Sequence, residues 1–356
     1  MFHFSTRNAL LPSAAMTILL GLSACGGGGG SDDTSASASA SASAAAAAAG
    51  TASGAAAGAG AAAGTVTTNP TPQPALPTKA LGLTDQRASP AATPNVVRLV
   101  SFDIATPNTV TSVPITTAAG AGAFAANEWI FGMDYRPADS LLWGLTNRGR
   151  LYTIDPGTGV ATFRFALSAD AADTTAPFTG LDASTSVSVD FNPVADRMRV
   201  VTFVGQNLSI NVATGATTTD TSAPAVAAPP APAAGFSWIA GVAYANSFAG
   251  ATATTLYTIN NVNDNLSTQT PPAGGTQTAV GTGLTVAIGE VQGFDIAGST
   301  NQLALAALSP DGAVGPHALY NINLTSGVAT LRGTSLAASQ IGGATGVPLV
   351  DIAIRP

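Results

Sequence analysis

Leu151-Tyr-Thr-Ile-Asp155 recurs through the chain as Leu208-Ser-Ile-Asn211, Leu256-Tyr-Thr-Ile-Asn260 and Leu319-Tyr-Asn-Ile-Asn323, with Leu99-Val-Ser-Phe-Asp103 as an earlier, looser copy. Each Asp or Asn runs into a turn, as in Pro156-Gly-Thr-Gly159, Val212-Ala-Thr-Gly215 and Leu324-Thr-Ser-Gly327, and a Thr-rich strand follows. The reading places the Leu and the Ile or Phe on one strand face, and lets the terminal Asp or Asn close a hairpin turn through the backbone ahead of it.

A second segment precedes the first in each unit: Gly132-Met-Asp-Tyr135, Ser188-Val-Asp-Phe191, Gly241-Val-Ala-Tyr244 and Gly293-Phe-Asp-Ile296. Their third positions, 134, 190, 243 and 295, are spaced by 56, 53 and 52 residues, so the units are equivalent and stack. In the clearest unit, strands are expected over 131–135, 141–146, 150–155 and 160–167. Four short antiparallel strands at this period make the blade of a β-propeller, an all-β fold.

The two ends then explain each other. Leu349-Val-Asp-Ile-Ala-Ile-Arg-Pro356 is an inner-strand segment with nothing after it, whereas Ala80-Leu-Gly-Leu-Thr84 and 99–103 match the later strands of a blade. Together they complete one blade and close a five-bladed ring, which hides sheet edges that an open array would expose. Five such units need about 270 residues, and 79–356 supplies 278. A β-sandwich or an open solenoid is the competing architecture.

Upstream of 79 the composition changes. Residues 1–24 carry Arg7 and then an apolar run broken by Pro12, the charged and apolar regions of a secretory signal and too short for a membrane span. Leu22-Ser-Ala-Cys25 resembles the bacterial lipobox, which implies that Cys25, the only cysteine, is lipidated and begins the mature chain. By the same analogy Gly26 implies sorting to the outer membrane, facing the periplasm or the surface. An ordinary signal peptide with a stray thiol is the plainer reading. Residues 26–78 are low-complexity Gly, Ala, Ser, Thr and Pro, unable to bury enough apolar surface to fold. As a flexible tether they would span about 40 Å and hold a folded domain off a membrane.

Composition narrows the chemistry. The chain of 356 residues has a net charge of −7, and its twelve basic residues are scattered, which argues against nucleic-acid binding. Removing 1–24 leaves His317 as the only histidine, so no zinc site with two or three imidazoles can be built. With one lysine and only Glu128 and Glu290 as glutamates, the stock of catalytic side chains points away from an enzyme.

Val189-Asp-Phe-Asn-Pro-Val-Ala-Asp-Arg-Met-Arg-Val-Val201, with Gly205-Gln-Asn-Leu208 and the Leu-Tyr-x-Ile-Asp and Gly-x-Asp-Tyr-x-Pro signatures of the other units, resembles the bacterial domain-of-unknown-function family 4394. The likeness runs over essentially all of 79–356. It implies a secreted or surface-attached propeller-like domain and carries over no substrate and no catalytic residue.

Asp134, Asp190 and Asp295 hold equivalent places on the expected inner strands, where converging carboxylates could bind a cation, calcium above all. The preferred reading has each accept backbone N–H bonds and organise its own blade, with Gly132, Ser188, Gly241 and Gly293 easing crowding, because the ring of acids is incomplete. The fourth unit has Ala243. In the last unit, spacing aligns Asp351, whereas matching Ile354-Arg-Pro356 to Tyr135-Arg-Pro137 aligns Ala353. Trp129 and Trp238 lie five residues before the aligned position and Glu290 holds the same place, so all three would gather at one channel mouth and bind a sugar or peptide, or simply cover blade ends. Arg197 and Arg199 read as structural, pairing with Asp196 or a neighbouring blade. His317, in a Pro/Gly loop, reads as solvated. The functional expectation is a membrane-tethered propeller that binds a ligand or envelope partner; the alternatives are a calcium-dependent hydrolase built on the axial aspartates and a purely structural envelope component.

Overall fold

Segments 130–135, 187–191, 239–244 and 293–297 are buried at every position. Outer segments such as Val160–Ala166 alternate exposed and buried. A strand walled on both faces reads apolar throughout, whereas one with a wet face reads with period two, so burial separates the interior strands of each blade from its rim. These strands belong to a computed structural model that describes residues 75–86, 96–183, 186–220, 239–289, 292–298, 301–309, 316–346 and 348–356. Cys25, the signal and almost all of the tether, together with Trp238 and Glu290, lie outside the described residues.

In chain order the strands are β1 (Lys79–Thr84), β2 (Arg98–Asp103), β3 (Thr106–Pro114), β4 (Thr116–Thr117), β5 (Ile130–Tyr135), β6 (Leu142–Thr146), β7 (Arg150–Ile154) and β8 (Val160–Ala166). They continue as β9 (Ser168–Ala169), β10 (Val187–Asn192), β11 (Arg197–Thr202), β12 (Asn207–Ile210), β13 (Ala216–Thr219), β14 (Ile239–Tyr244), β15 (Leu256–Asn260), β16 (Asn265–Gln269) and β17 (Gln277–Ala279). The last are β18 (Gly293–Ala297), β19 (Leu303–Leu308), β20 (Ala318–Ile322), β21 (Ala329–Leu331) and β22 (Leu349–Ala353), with one short helix, α1 (Leu336–Ser339), before β22. Among the described residues no helix is long and apolar enough to cross a membrane.

The strands form five small antiparallel sheets, a five-bladed β-propeller: β5 to β8, β10 to β13, β14 to β17, β18 to β21, and a composite blade ordered β22-β1-β2-β3. β22 supplies the inner strand of the composite blade, pairing Leu81 with Ala353 and Leu83 with Asp351. Five apolar clusters lie at the five blade seams. For example, Leu83, Met133, Tyr152 and Ala353 join the composite blade to the β5 blade, and Leu319, Val100 and Ile352 join the β18 blade to the composite one. The inner strands also touch in closed order, β5 to β10 to β14 to β18 to β22 and back to β5.

The repeated motif works differently from the one-face reading. Leu151 faces the β10 blade with Val189 and Met198, whereas Tyr152 and Ile154 face the composite blade. Residues three apart on a strand point to opposite faces, and a propeller blade has a neighbour on each face. The motif is therefore a two-sided core strand. The terminal Asp or Asn does close its turn: Asp155 Oδ1 accepts from Gly157 and Thr158 N–H at 2.9 and 2.8 Å, and Asn323 Oδ1 accepts from Thr325 and Ser326 N–H, both at 2.9 Å.

Two elements have no strand signal in the sequence. β4 and β9 leave the outer strands of their own blades and pair in parallel with β8 and β13 of the next. The stitch starts at the turn glycines: Thr116 N–H donates to Gly159 C=O and Ser168 N–H to Gly215 C=O, each at 3.0 Å. Gly159 and Gly215 have φ of +74° and +79°, and a Cβ on either would lie 2.2 Å from the carbonyl oxygen of Pro114 or Ala166. Only glycine allows both that backbone and that approach.

His317 corrects another expectation. It is buried, and its Nδ1 accepts from Leu349 N–H at 3.1 Å, holding the start of β22. Arg197 and Arg199 do not pair with Asp196, which is bound by Arg136 of the neighbouring blade. The adjacent-blade alternative holds for Arg199, whose Nε donates to the Tyr244 hydroxyl of the β14 blade at 3.3 Å. It also donates to Asn207 Oδ1 at 2.8 Å and pairs with Asp220, while Arg197 donates to Ser209 and pairs with Asp170.

Candidate functional site: an acidic axis and a tryptophan cleft

Asp134, Asp190 and Asp295 meet on the axis. Each offers a carboxylate oxygen, those oxygens lie within 4.8 Å of one another, and all three residues are buried. The strand registers place them equivalently, opposite Trp143, Arg199 and Leu305 of their second strands; in the other two blades Ala243 faces Tyr257 and Ala353 faces Leu81. The alignment left open for the last blade is thus decided in favour of Ala353. Asp351 sits two residues earlier on the same strand face, level with Gly132, Ser188, Gly241 and Gly293.

These carboxylates also stitch the inner strands. Asp134 Oδ2 accepts from Phe191 N–H at 2.9 Å, Asp190 accepts from Tyr244 N–H, and Asp295 Oδ2 accepts from Ile354 N–H at 2.5 Å. One tier away, Ser188 Oγ accepts from Val242 N–H at 2.8 Å and Asp351 Oδ2 from Met133 N–H at 2.9 Å. Four of the five seams therefore carry an axial side-chain bond among the described residues. The fifth, β14 to β18, has Gly241 and Ala243 instead, and there Phe294 packs within 3.0 Å of where a Gly241 Cβ would stand. Gly293 is tighter still, since its Cβ would lie 2.6 Å from Ile352 N. The small residues do ease crowding at the axis.

The axis is electrostatically unfavourable. Burial pushes the Asp134 and Asp190 carboxyls well above the usual range, and repulsion from the other axial acids adds to it, against the lowering effect of their backbone donors. Asp295 is pushed up to about 7, chiefly by burial, and Asp351 is raised for the same reason. Among the described residues the ion pairs of Arg136, Arg150, Arg197 and Arg199 go to other acids, and none reaches these four. Asp190 also keeps Oδ1 buried with no hydrogen-bond partner.

Trp129, half-buried just before β5, lines a cleft of about 310 Å³ with Val97, Ile115, Phe124 and Glu128. It packs into the apolar clusters on both sides of its blade, so it covers the blade end and also borders the cleft. Glu128 is fully engaged: it accepts from Ala125 N–H at 2.8 Å, Thr146 Oγ1 at 2.7 Å and Arg150 Nη1 at 2.8 Å. Arg150 lies over the rings of Phe163 and Tyr152, at 4.7 and 5.3 Å from their centroids. Burial and the Glu128 charge push the Tyr152 hydroxyl up to about 12, so it stays protonated. A larger cleft, about 570 Å³, opens at the other end of β5 between Tyr135, Leu142, Val160 and Arg355.

Sequence reasoning named Trp129 but missed Glu128, although one of two glutamates placed just before an inner strand was a usable signal. It named Asp351 only as an alignment alternative, yet a two-residue offset keeps a side chain on the same face.

Fold and site define a closed propeller with a buried acidic axis and a Trp-bordered cleft at one end of β5. The chain belongs to the family described as domain of unknown function DUF4394, whose model matches residues 98–346. No curated protein matches the sequence. Among solved structures it is similar to a structural genomics protein of unknown function from Bacteroides thetaiotaomicron VPI-5482, with 14% identity and a TM-score of 0.40 over 79% of this chain; the match spans only 65% of that protein's length. It is also similar to YCF48 from Cyanidioschyzon merolae, with 14% identity and a TM-score of 0.32 over 74% of this chain and 72% of that one. Nothing about this chain's function follows from these distant likenesses.

Proposed function

We propose that the protein is an envelope lipoprotein, anchored through Cys25 and exported to the outer membrane, whose propeller is a binding domain for an envelope component. The observation that carries the reading is the Trp129 cleft. It offers an aromatic and aliphatic wall with the exposed Asn127 at its edge, the mix of apolar surface and polar groups that small-ligand sites use. The buried Glu128, held by Arg150 and Thr146, fixes the wall behind it rather than facing a ligand. The lipobox-like 22–25 and the 26–78 tether support display on a membrane. The hydrolase alternative is disfavoured by geometry, since Asp134, Asp190 and Asp295 are buried and engaged with backbone donors of neighbouring strands.

The full lipoprotein in detergent should bind soluble muropeptides, followed by quenching of its tryptophan fluorescence. Trp129→Ala should weaken binding about tenfold or more, as expected for an aromatic anchor. Unchanged affinity in that variant removes the cleft from the proposal. Labelled palmitate should enter the native chain and not Cys25→Ala; equal labelling of both removes the anchor. Turnover of a chromogenic glycoside that vanishes in Asp190→Asn would restore the hydrolase reading.

A further inference from the structure

We propose that Asp134, Asp190 and Asp295 hold one calcium ion on the propeller axis, a structural ligand that ties three inner strands together. The inference is independent of what the Trp129 cleft binds.

Geometry supplies the first argument. Three carboxylate oxygens from three different blades lie within 4.8 Å of one another, a spread that fits around an ion with oxygen ligands at roughly 2.3–2.6 Å. The donor set is all oxygen, which selects a hard cation over zinc or copper. The flexible coordination of calcium tolerates carboxylates held at positions dictated by strand register better than the strict octahedron of magnesium does.

The second argument is the orphaned oxygen. Asp190 is buried and one of its oxygens binds Tyr244 N–H, but Oδ1 has no partner. A buried carboxylate oxygen left without a donor is costly, and an axial cation satisfies it. The Asp134 and Asp295 oxygens that accept backbone N–H bonds retain lone pairs for the same ion.

Charge is the third. Arg199 stands opposite Asp190 in the strand register but pairs with Asp220, so among the described residues no ion pair reaches Asp134, Asp190, Asp295 or Asp351. Burial and mutual repulsion disfavour their ionised forms, and a divalent cation reverses that balance. Ala243 and Gly241 leave the β14 side free of side-chain oxygen, so backbone or water must complete the shell there.

The test uses the full chain in detergent, stripped with chelator and passed through a desalting column with calcium alone. Metal analysis should find about one calcium per chain, and a hundredfold excess of calcium over its Kd should raise the melting temperature by about 5 °C. Magnesium should raise it less. Asp190→Asn and Asp134→Asn, each still folded by circular dichroism, should lose both the bound calcium and the rise. A native chain that retains no calcium and melts at the same temperature with and without it overturns the proposal. Retention of calcium by both folded variants overturns the assigned site. If a variant fails to fold, the stoichiometry and melting shift of the native chain still decide.

Discussion

Glu128 and Asp190 are both carboxylates buried in the same propeller, but their surroundings differ. Glu128 has a guanidinium, a hydroxyl and a backbone N–H on its two oxygens, whereas Asp190 has one backbone donor, three acidic neighbours and an unpartnered Oδ1. The first arrangement is complete in protein atoms alone. The second costs free energy as it stands, so it persists only if something besides the chain completes it or the groups stay protonated. Burial by itself does not separate a structural carboxylate from a ligand; the count of donors around it does.

The largest effect that would sharpen this contrast is expected at the finished site. Glu128→Ala leaves Arg150 without its carboxylate and Thr146 without its acceptor, and should lower unfolding free energy by about 3 kcal/mol. Chemical denaturation measures it, and a loss no larger than that of a surface substitution would mean the pair is not the anchor of that blade end. Next in size is the packing of the axis. Gly293→Ala drives a Cβ toward the backbone of β22 and should cost about 2 kcal/mol, visible as a lower denaturant midpoint. A neutral result would show that the ring relaxes at that seam.

The smallest effect concerns protons. Because the folded-state pKa of Asp295 is raised from 3.8 to about 7, its contribution is least unfavourable at acid pH. In chelator the chain should lose stability as pH rises from about 4 through 7. Saturating calcium should flatten that dependence, and Asp190→Asn should weaken it by removing a second buried carboxyl whose pKa is raised. Thermal melts across this range check the sign; stability that climbs with pH in chelator would contradict the burial of unpaired carboxylates at the axis.

Much of the fold was legible. The period of the Leu-Tyr-x-Ile-Asp and Gly-x-Asp-Tyr segments gave the blade, and the unmatched inner strand at 349–356 gave the closing partner for 79–84, because a repeat that buries its faces against neighbours must write the same pattern each time. In the expected unit, all four strands match those observed to within a residue at each end. The equivalence of Asp134, Asp190 and Asp295 was legible for the same reason. The two-sided role of the motif was not read, since a neighbour on each face makes Leu151 and Ile154 both core residues while pointing apart. Nor were β4 and β9, whose two-residue pairings carry no periodicity at all.

The sequence by itself determined the class, the number of blades and which residues share a register position, because hydrophobic period and turn chemistry are local and repeat with the chain. Tertiary structure alone decided what those positions meet. It joined Glu128 to Arg150 across 22 residues and Asp351 to Met133 across 218, buried His317 beneath Leu349, and left Asp190 Oδ1 without a donor. Hydrogen-bond partners and desolvation depend on atoms brought together only when the ring closes, and no local pattern records them.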